Sequence, residues 1–239
     1  LIECLGAGRG VSLPALATAS GEMGYRMTGA FSRIRRQFGT AVGHFEGVQE
    51  ASAEVAGLAY TLEAYRHLVT RGLEEGTISV VTAMAKYHST EMMRVLINNG
   101  MDIASGRAVQ MGPRNFMALA YQSIPVAITV EGANIMTRSL IQFGQGVIRC
   151  HPYAYAQIEA LERGDVETFD ALLFAHVKHV ARNAFRALAL GLTRGHLHRP
   201  KHEDATKRYE QKLSWASAKF AFLSDVALGL TGPALKRRE

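Results

Sequence analysis

The segment that could do chemistry most directly is Thr129-Val130-Glu131-Gly132-Ala133-Asn134-Ile135-Met136-Thr137-Arg138. A single carboxylate, Glu131, follows an apolar run from Ile124 to Val130 that is broken only by Thr129. It precedes a glycine and a stretch that reads as a helix start. A carboxylate kept from water between such segments is a stronger base near neutral pH, because desolvation disfavours the anion. A glutamate at a helix start serves equally well as a partner for the helix dipole, which favours the anion instead. Residue type alone leaves both readings open.

The second such segment is Arg33-Ile34-Arg35-Arg36-Gln37-Phe38-Gly39. It reads as the end of a helix that starts near Leu13, with arginines in the last turn and Gly39 as the stop. The same guanidinium groups can grip phosphate oxygens in pairs. The adjacent ring and amide could hold an attached heterocycle. Other motifs carry less. Gly6-Ala7-Gly8-Arg9-Gly10 has dinucleotide-loop glycines but no preceding strand, so it reads as a flexible lead-in to the first helix. His196, His198 and His202 have metal-ligating side chains on what reads as a solvated loop with no supporting shell. Lys178, Arg182 and Arg186 make one basic helix face, which is ordinarily just solvated; docking on an acidic membrane surface is the minority reading. No aromatic residues interleave with the basic ones, which argues against nucleic acid.

The elements that must position these groups are helical. The chain has 239 residues, 48% hydrophobic and 20% charged, enough for one large or two modest domains with a real core. Its net charge of +6 favours an anionic partner without choosing one. Cys4 and Cys150 have no metal-type spacing and suggest a reduced, cytoplasmic setting. No apolar run approaches the ~20 residues of a membrane span. Apolar residues at Phe45, Val48, Ala51, Val55, Leu58, Leu62, Tyr65 and Val69 predict one long helix. Thr77 to Asn99 predicts another through Ile78, Val81, Ala85, Met92 and Val95, with His88 on the buried stripe and Gly100 as the stop. A helix from Val166 to Leu190 would be capped by Asp165. Tyr209, Leu213, Ala216, Phe220, Leu223, Ala227 and Leu230 predict a last buried stripe, with Asp204 or Thr206 capping its helix. Arg194 to Asp204 reads as a loop, and Ile124 to Val130 as a short strand or buried connector. The expectation is an all-α fold of antiparallel helices, divided at Cys150-His151-Pro152 into residues 1–150 and 151–239.

Arg35-Arg36-Gln37-Phe38-Gly39, followed by Phe45-Glu46-Gly47-Val48-Gln49, resembles the Arg-x-Gln-Phe-Gly segment of acyl-CoA dehydrogenases. Ala83-Met84-Ala85-Lys86-Tyr87 resembles the next bundle helix of that family, and Glu131-Gly132 falls where its catalytic Glu-Gly pair falls. Val130-to-Arg138, Phe143-Gly144-Gln145-Gly146 and Arg149-Cys150-His151-Pro152 are similar to bacterial long-chain enzymes of the FadE type. Asp204-to-Tyr209 and Leu235-to-Glu239 are similar to their carboxy-terminal extension.

The resemblance implies an acyl-CoA dehydrogenase C-terminal four-helix bundle in 1–150, a helical extension in 151–239, and a chain that is a carboxy-terminal piece of a longer enzyme. It implies FAD-dependent desaturation of a long-chain fatty acyl-CoA to a trans-2-enoyl-CoA in β-oxidation, with Glu131 as the base and its backbone N–H on the thioester oxygen. Arg35 would contact the FAD pyrophosphate, with Gln37, Phe38 and Gly106 nearby. Arg9 and Gly132 would lie at the substrate. Asp102, Ala133 and Ile135 depart from the family pattern around flavin. A homo-oligomer and an electron-transfer flavoprotein as acceptor are also implied, while peripheral contact with the inner membrane is the minority reading of the basic face at Lys178, Arg182 and Arg186. The rival expectation is a helical binding or assembly module that keeps the bundle without turnover.

Overall fold

The computed structural model describes residues 2–76, 79–139 and 146–232. They are almost entirely helical and fall into two compact units, Leu1–Gln142 and Phe143–Glu239. In the first unit, α1 (Ile2–Ile34) leads into a small hairpin of β1 (Arg36–Gln37) and β2 (Thr40–Ala41), then α2 (Glu46–Glu74) and α3 (Ser79–Ala104). The short α4 (Gly106–Val109), α5 (Phe116–Thr129) and the turn-length α6 (Asn134–Met136) complete it. The long helices α1, α2 and α3 pack on one another, and α5 packs on α3. Their shared core is Leu13, Val55, Leu62, Met93, Leu96, Ile97, Met117, Ile124 and Ala127.

The predicted stripe of α2 holds: Val55, Leu62 and Val69 are buried. The α3 stripe holds at Ala85, which is buried, and at Met92, which packs on the core, but is rotated elsewhere. Val80, Ala83, Met93, Leu96 and Ile97 are buried, while Val95 and His88 face solvent. His88 is therefore no core histidine; its ring stands edge-on to Tyr87. Gly100 does not end this helix, which runs on to Ala104.

Two further expectations are corrected. The Gly6–Gly10 segment is no lead-in, because α1 is helical from Ile2. Gly10 sits where a Cβ would come within 2.7 Å of Thr82 Cγ2, so its glycine allows α1 to approach α3. Ile124–Val130 is no strand. Asn115 caps α5 by accepting N–H bonds from Met117 and Ala118, and Met117, Ile124 and Ala127 recur on its buried face. That packing overrides the β-branched local preference.

The second unit contains α7 (Gly146–Cys150), α8 (Ala154–Glu162), α9 (Val166–Leu192) and α10 (Lys207–Thr231). Asp165 caps α9 as expected, accepting from Thr168 N–H. Asp204 holds the turn before α10, accepting from Thr206 N–H, and Thr206 makes no side-chain cap. Helices α9 and α10 pair, with α8 against α9. The predicted stripe of α10 is not buried: Tyr209, Leu213, Phe220, Leu223 and Leu230 are exposed, and the buried positions are Gln211, Ala218 and Asp225. Segments 143–145 and 235–239, singled out in the sequence, lie outside the described residues. No helix among the described residues is long and apolar enough to cross a membrane.

Candidate active site

Glu131 stands directly past the end of α5, in a turn that strains the backbone. Its φ is 54° and that of Gly132 is 93°. Glycine takes the left-handed region freely, but a glutamate there costs on the order of 1 kcal/mol and persists only where its surroundings hold it. The holding group is Lys86 on α3. Its ammonium is fully buried and donates to Ile128 C=O at 2.9 Å, Gly132 C=O at 2.8 Å and Asn134 Oδ1 at 2.6 Å. Asn134 in turn donates to Thr90 Oγ1 and Glu91 Oε1, and Thr137 Oγ1 donates to Gly132 C=O. The loop that carries Glu131 is thus stapled on both sides to α3 by one cation.

Burial pushes the Lys86 ammonium below the usual lysine range, and the Glu131 carboxylate opposes that shift. Arg9 adds a second positive charge, and its Nη1 lies 3.6 Å from where a Cβ on Gly132 would stand. Its Nε is buried without a partner. The Glu131 carboxylate itself is exposed, so the apolar run does not shield it within this unit. Ser12 Oγ lies 3.2 Å from both carboxylate oxygens and 3.0 Å from Gly8 C=O; its single proton serves one of them at a time.

The structure brings Arg9, Glu131 and Gly132 together. Lys86, Asn134 and Ser12 were not marked as site residues in the sequence. The available signal was Lys86 itself, a lysine among Ala83, Ala85, Ser89 and Thr90 on an otherwise small, buried helix face.

Arg35, Gln37, Phe38 and Gly106 form a separate region. Helix α1 ends at Ile34, so Arg35 and Arg36 lie beyond its last turn, and Arg36–Gln37 pairs with Thr40–Ala41. Phe38 and Gly39 form the two-residue loop, both at positive φ, 52° and 82°. That geometry matches the twist of a tight hairpin but disfavours a phenylalanine. The Phe38 ring is 95% exposed and stands edge-on to Phe45, with centroids 6.2 Å apart. Arg35, Gln37, Asp102, Gly106 and Arg107 line a groove of about 880 Å³. Arg36 Nη2 donates to Gly39 C=O, while neither Arg35 nor Arg107 pairs with an acid among the described residues. Unpaired guanidinium groups beside an exposed ring suit a dinucleotide cofactor's phosphates and heterocycle, and Asp102 alone opposes them.

Comparison with known proteins gives matches along nearly the whole chain. The family described as "Acyl-CoA dehydrogenase, C-terminal domain" matches residues 2–144, and "Acyl-CoA dehydrogenase, C-terminal, bacterial type" matches residues 148–239. A Mycobacterium tuberculosis protein named "Probable acyl-CoA dehydrogenase FadE10" is 30% identical over 136 residues, which are 56% of this chain and 21% of that one. This chain therefore spans about a fifth of that relative's length. The solved acyl-CoA dehydrogenase of Geobacillus kaustophilus is 26% identical with a TM-score of 0.54, over 59% of this chain and 37% of that one. A glutaryl-coenzyme A dehydrogenase in complex with glutaryl-CoA is 25% identical with a TM-score of 0.53, over 62% and 37%.

Proposed function

Because this chain belongs to the acyl-CoA dehydrogenase family, we propose that it supplies the base and part of the flavin site for desaturation of a long-chain fatty acyl-CoA to a trans-2-enoyl-CoA. That is the first step of fatty acid β-oxidation. The observation that carries the reading is the strained turn at Glu131, held by the buried Lys86. Strain retained at one exposed carboxylate, and fixed by a buried cation, is the pattern of a preorganised site rather than of a surface turn.

The Glu131 carboxylate takes the proton from the carbon next to the thioester carbonyl. Its backbone N–H donates to the thioester oxygen as negative charge develops there, in a turn that Lys86 holds through Ile128 C=O and Gly132 C=O. Gly132 lets the substrate approach the backbone, and Arg9 adds positive charge beside it. Exclusion of water by the bound acyl chain would strengthen the base, since Glu131 is exposed in this chain. When bound, FAD supplies the hydride acceptor for the adjacent carbon. Arg35, Gln37, Phe38 and Gly106 are the residues that would hold it, with Arg35 on its pyrophosphate.

The length of α1 supports a homo-oligomer, which the family resemblance implies. Arg9 lies near its start and Arg35 just past its end, so at 1.5 Å per residue the two regions stand roughly 35–40 Å apart. One flavin does not bridge that span within a chain. Arg35 would then serve the flavin of a neighbouring subunit. We assign the first unit to the bundle and the second unit to an extension, with an electron-transfer flavoprotein as acceptor and a cytoplasmic setting with peripheral contact at the inner membrane.

The test is the full-length protein with Glu131→Gln. The proposal expects a yellow protein whose flavin bleaches with acyl-CoA, and loss of bleaching in the variant. The second reading, a helical module without turnover, is favoured by the exposure of Glu131 and predicts a colourless protein.

A further inference from the structure

The second unit contains an open cavity of about 680 Å³ along α7, α8, α9 and α10, whose wall residues Leu161 and Val177 are more than half exposed. Its walls are apolar, with Ile148, Ile158, Leu161, Leu173, Val177 and Leu228 among them, and Asp225 and His176 form its polar part. The Asp225 side chain is only 2% exposed. Its Oδ1 accepts from His151 Nε2 at 2.7 Å and has His176 Nε2 at 3.4 Å. Its Oδ2 is buried and has no partner. No lysine or arginine among the described residues pairs with Asp225.

Two histidines and an aspartate within 4.8 Å of one another resemble a metal site. The turn ahead of α8 excludes that use of His151. His151 Nδ1 accepts N–H bonds from Tyr153 at 3.2 Å and Ala154 at 3.0 Å there. A nitrogen that accepts two backbone N–H groups carries no proton, so the ring's proton is on Nε2. That nitrogen donates to Asp225 and has no lone pair for a cation. Two ligands remain, too few for a structural site. Burial also favours the neutral ring of His151, against the pull of Asp225. His176 is aligned by a bond from Nδ1 to Gln157 Oε1 at 3.0 Å and by stacking on Tyr153.

What remains is an oriented carboxylate beside an apolar cavity, with one oxygen unmet and no lysine or arginine paired with it among the described residues. An unpaired buried carboxylate is costly unless a donor or a cation meets it. A metal ion lacks ligands here, so the complement is an organic cation attached to an apolar body. We propose that the second unit binds a single-tailed amphiphile with a protonated amine head, its tail in this cavity and its head on Asp225. The site is separate from the Glu131 turn and stands whether or not that turn is catalytic.

The test is calorimetric titration of the full 239-residue chain with decylammonium below its micelle concentration. Saturable binding at one site is expected, with decanoate and decanol at least about tenfold weaker. Asp225→Asn keeps the carbonyl acceptor for His151 and removes the carboxylate's charge, so it should weaken decylammonium about tenfold or more. Leu173→Trp, at a partly exposed wall position, should block binding with the thermal midpoint retained. Equal affinity for decanoate or decanol, unchanged binding in both variants, or stoichiometric zinc binding lost in Asp225→Asn would overturn the proposal.

Discussion

Helices α2 and α10 carry equally regular apolar stripes, yet only one is buried. On α2 the stripe of Val55, Leu62 and Val69 meets α1 and α3 and becomes part of a core. On α10 the stripe of Leu213, Phe220, Leu223 and Leu230 faces out, while Gln211, Ala218 and Asp225 turn inward. Period alone shows that a helix has two unlike faces. Which face is covered depends on what the rest of the fold offers: three long helices in the first unit, and in the second a polar hub of His151, His176 and Asp225 around which α8, α9 and α10 assemble. The first unit is held by apolar packing with one buried cation at its edge. The second is organised by a buried anion.

Mutations can break this contrast in order of size. Leu62→Ala should lower stability by about 3 kcal/mol, the usual cost of a cavity at a fully buried leucine, read as a shift in the first unit's denaturant midpoint. Lys86→Met should cost about 2 kcal/mol, because orphaning Ile128 C=O, Gly132 C=O and Asn134 Oδ1 is partly offset by relief of a buried charge. Amide exchange should speed up around Glu131 before the rest of the unit opens.

The second unit should weaken in acid. Burial depresses the His151 pKa, so the neutral ring's contribution is complete above the ordinary value of 6.5 and is lost as pH falls from there through the folded value. Protonation would also remove the two N–H bonds that His151 Nδ1 accepts in the turn ahead of α8. His151→Asn, which keeps an accepting oxygen and cannot titrate, should flatten the pH dependence seen by circular dichroism. Phe220→Ser on the exposed stripe should change chain stability by less than about 0.5 kcal/mol; a cost like that of Leu62→Ala would show that the face is covered in solution.

The helical class and the α2 stripe were legible because each rests on local period. The α3 face was misjudged because Lys86, Ser89 and Thr90 are buried through hydrogen bonds, which a search for apolar residues passes over. The segment Ile124–Val130 looked like a strand because β-branched residues were read without the Asn115 cap upstream. Arg9, Glu131 and Gly132 could be grouped only through a family resemblance, since α1 and the α5 turn meet across 119 residues of sequence, as Ser12 and Glu131 do. The pairing of His151 with Asp225, 74 residues apart, carries no local signature at all.

The central claim is that Glu131 is the base. Anaerobic mixing of the full-length protein with a long-chain acyl-CoA measures it directly through the flavin absorbance. Rapid bleaching in the unaltered protein and a loss of at least about a hundredfold in Glu131→Gln, with flavin content and thermal midpoint unchanged, is the predicted result. Bleaching at an undiminished rate in Glu131→Gln would contradict it.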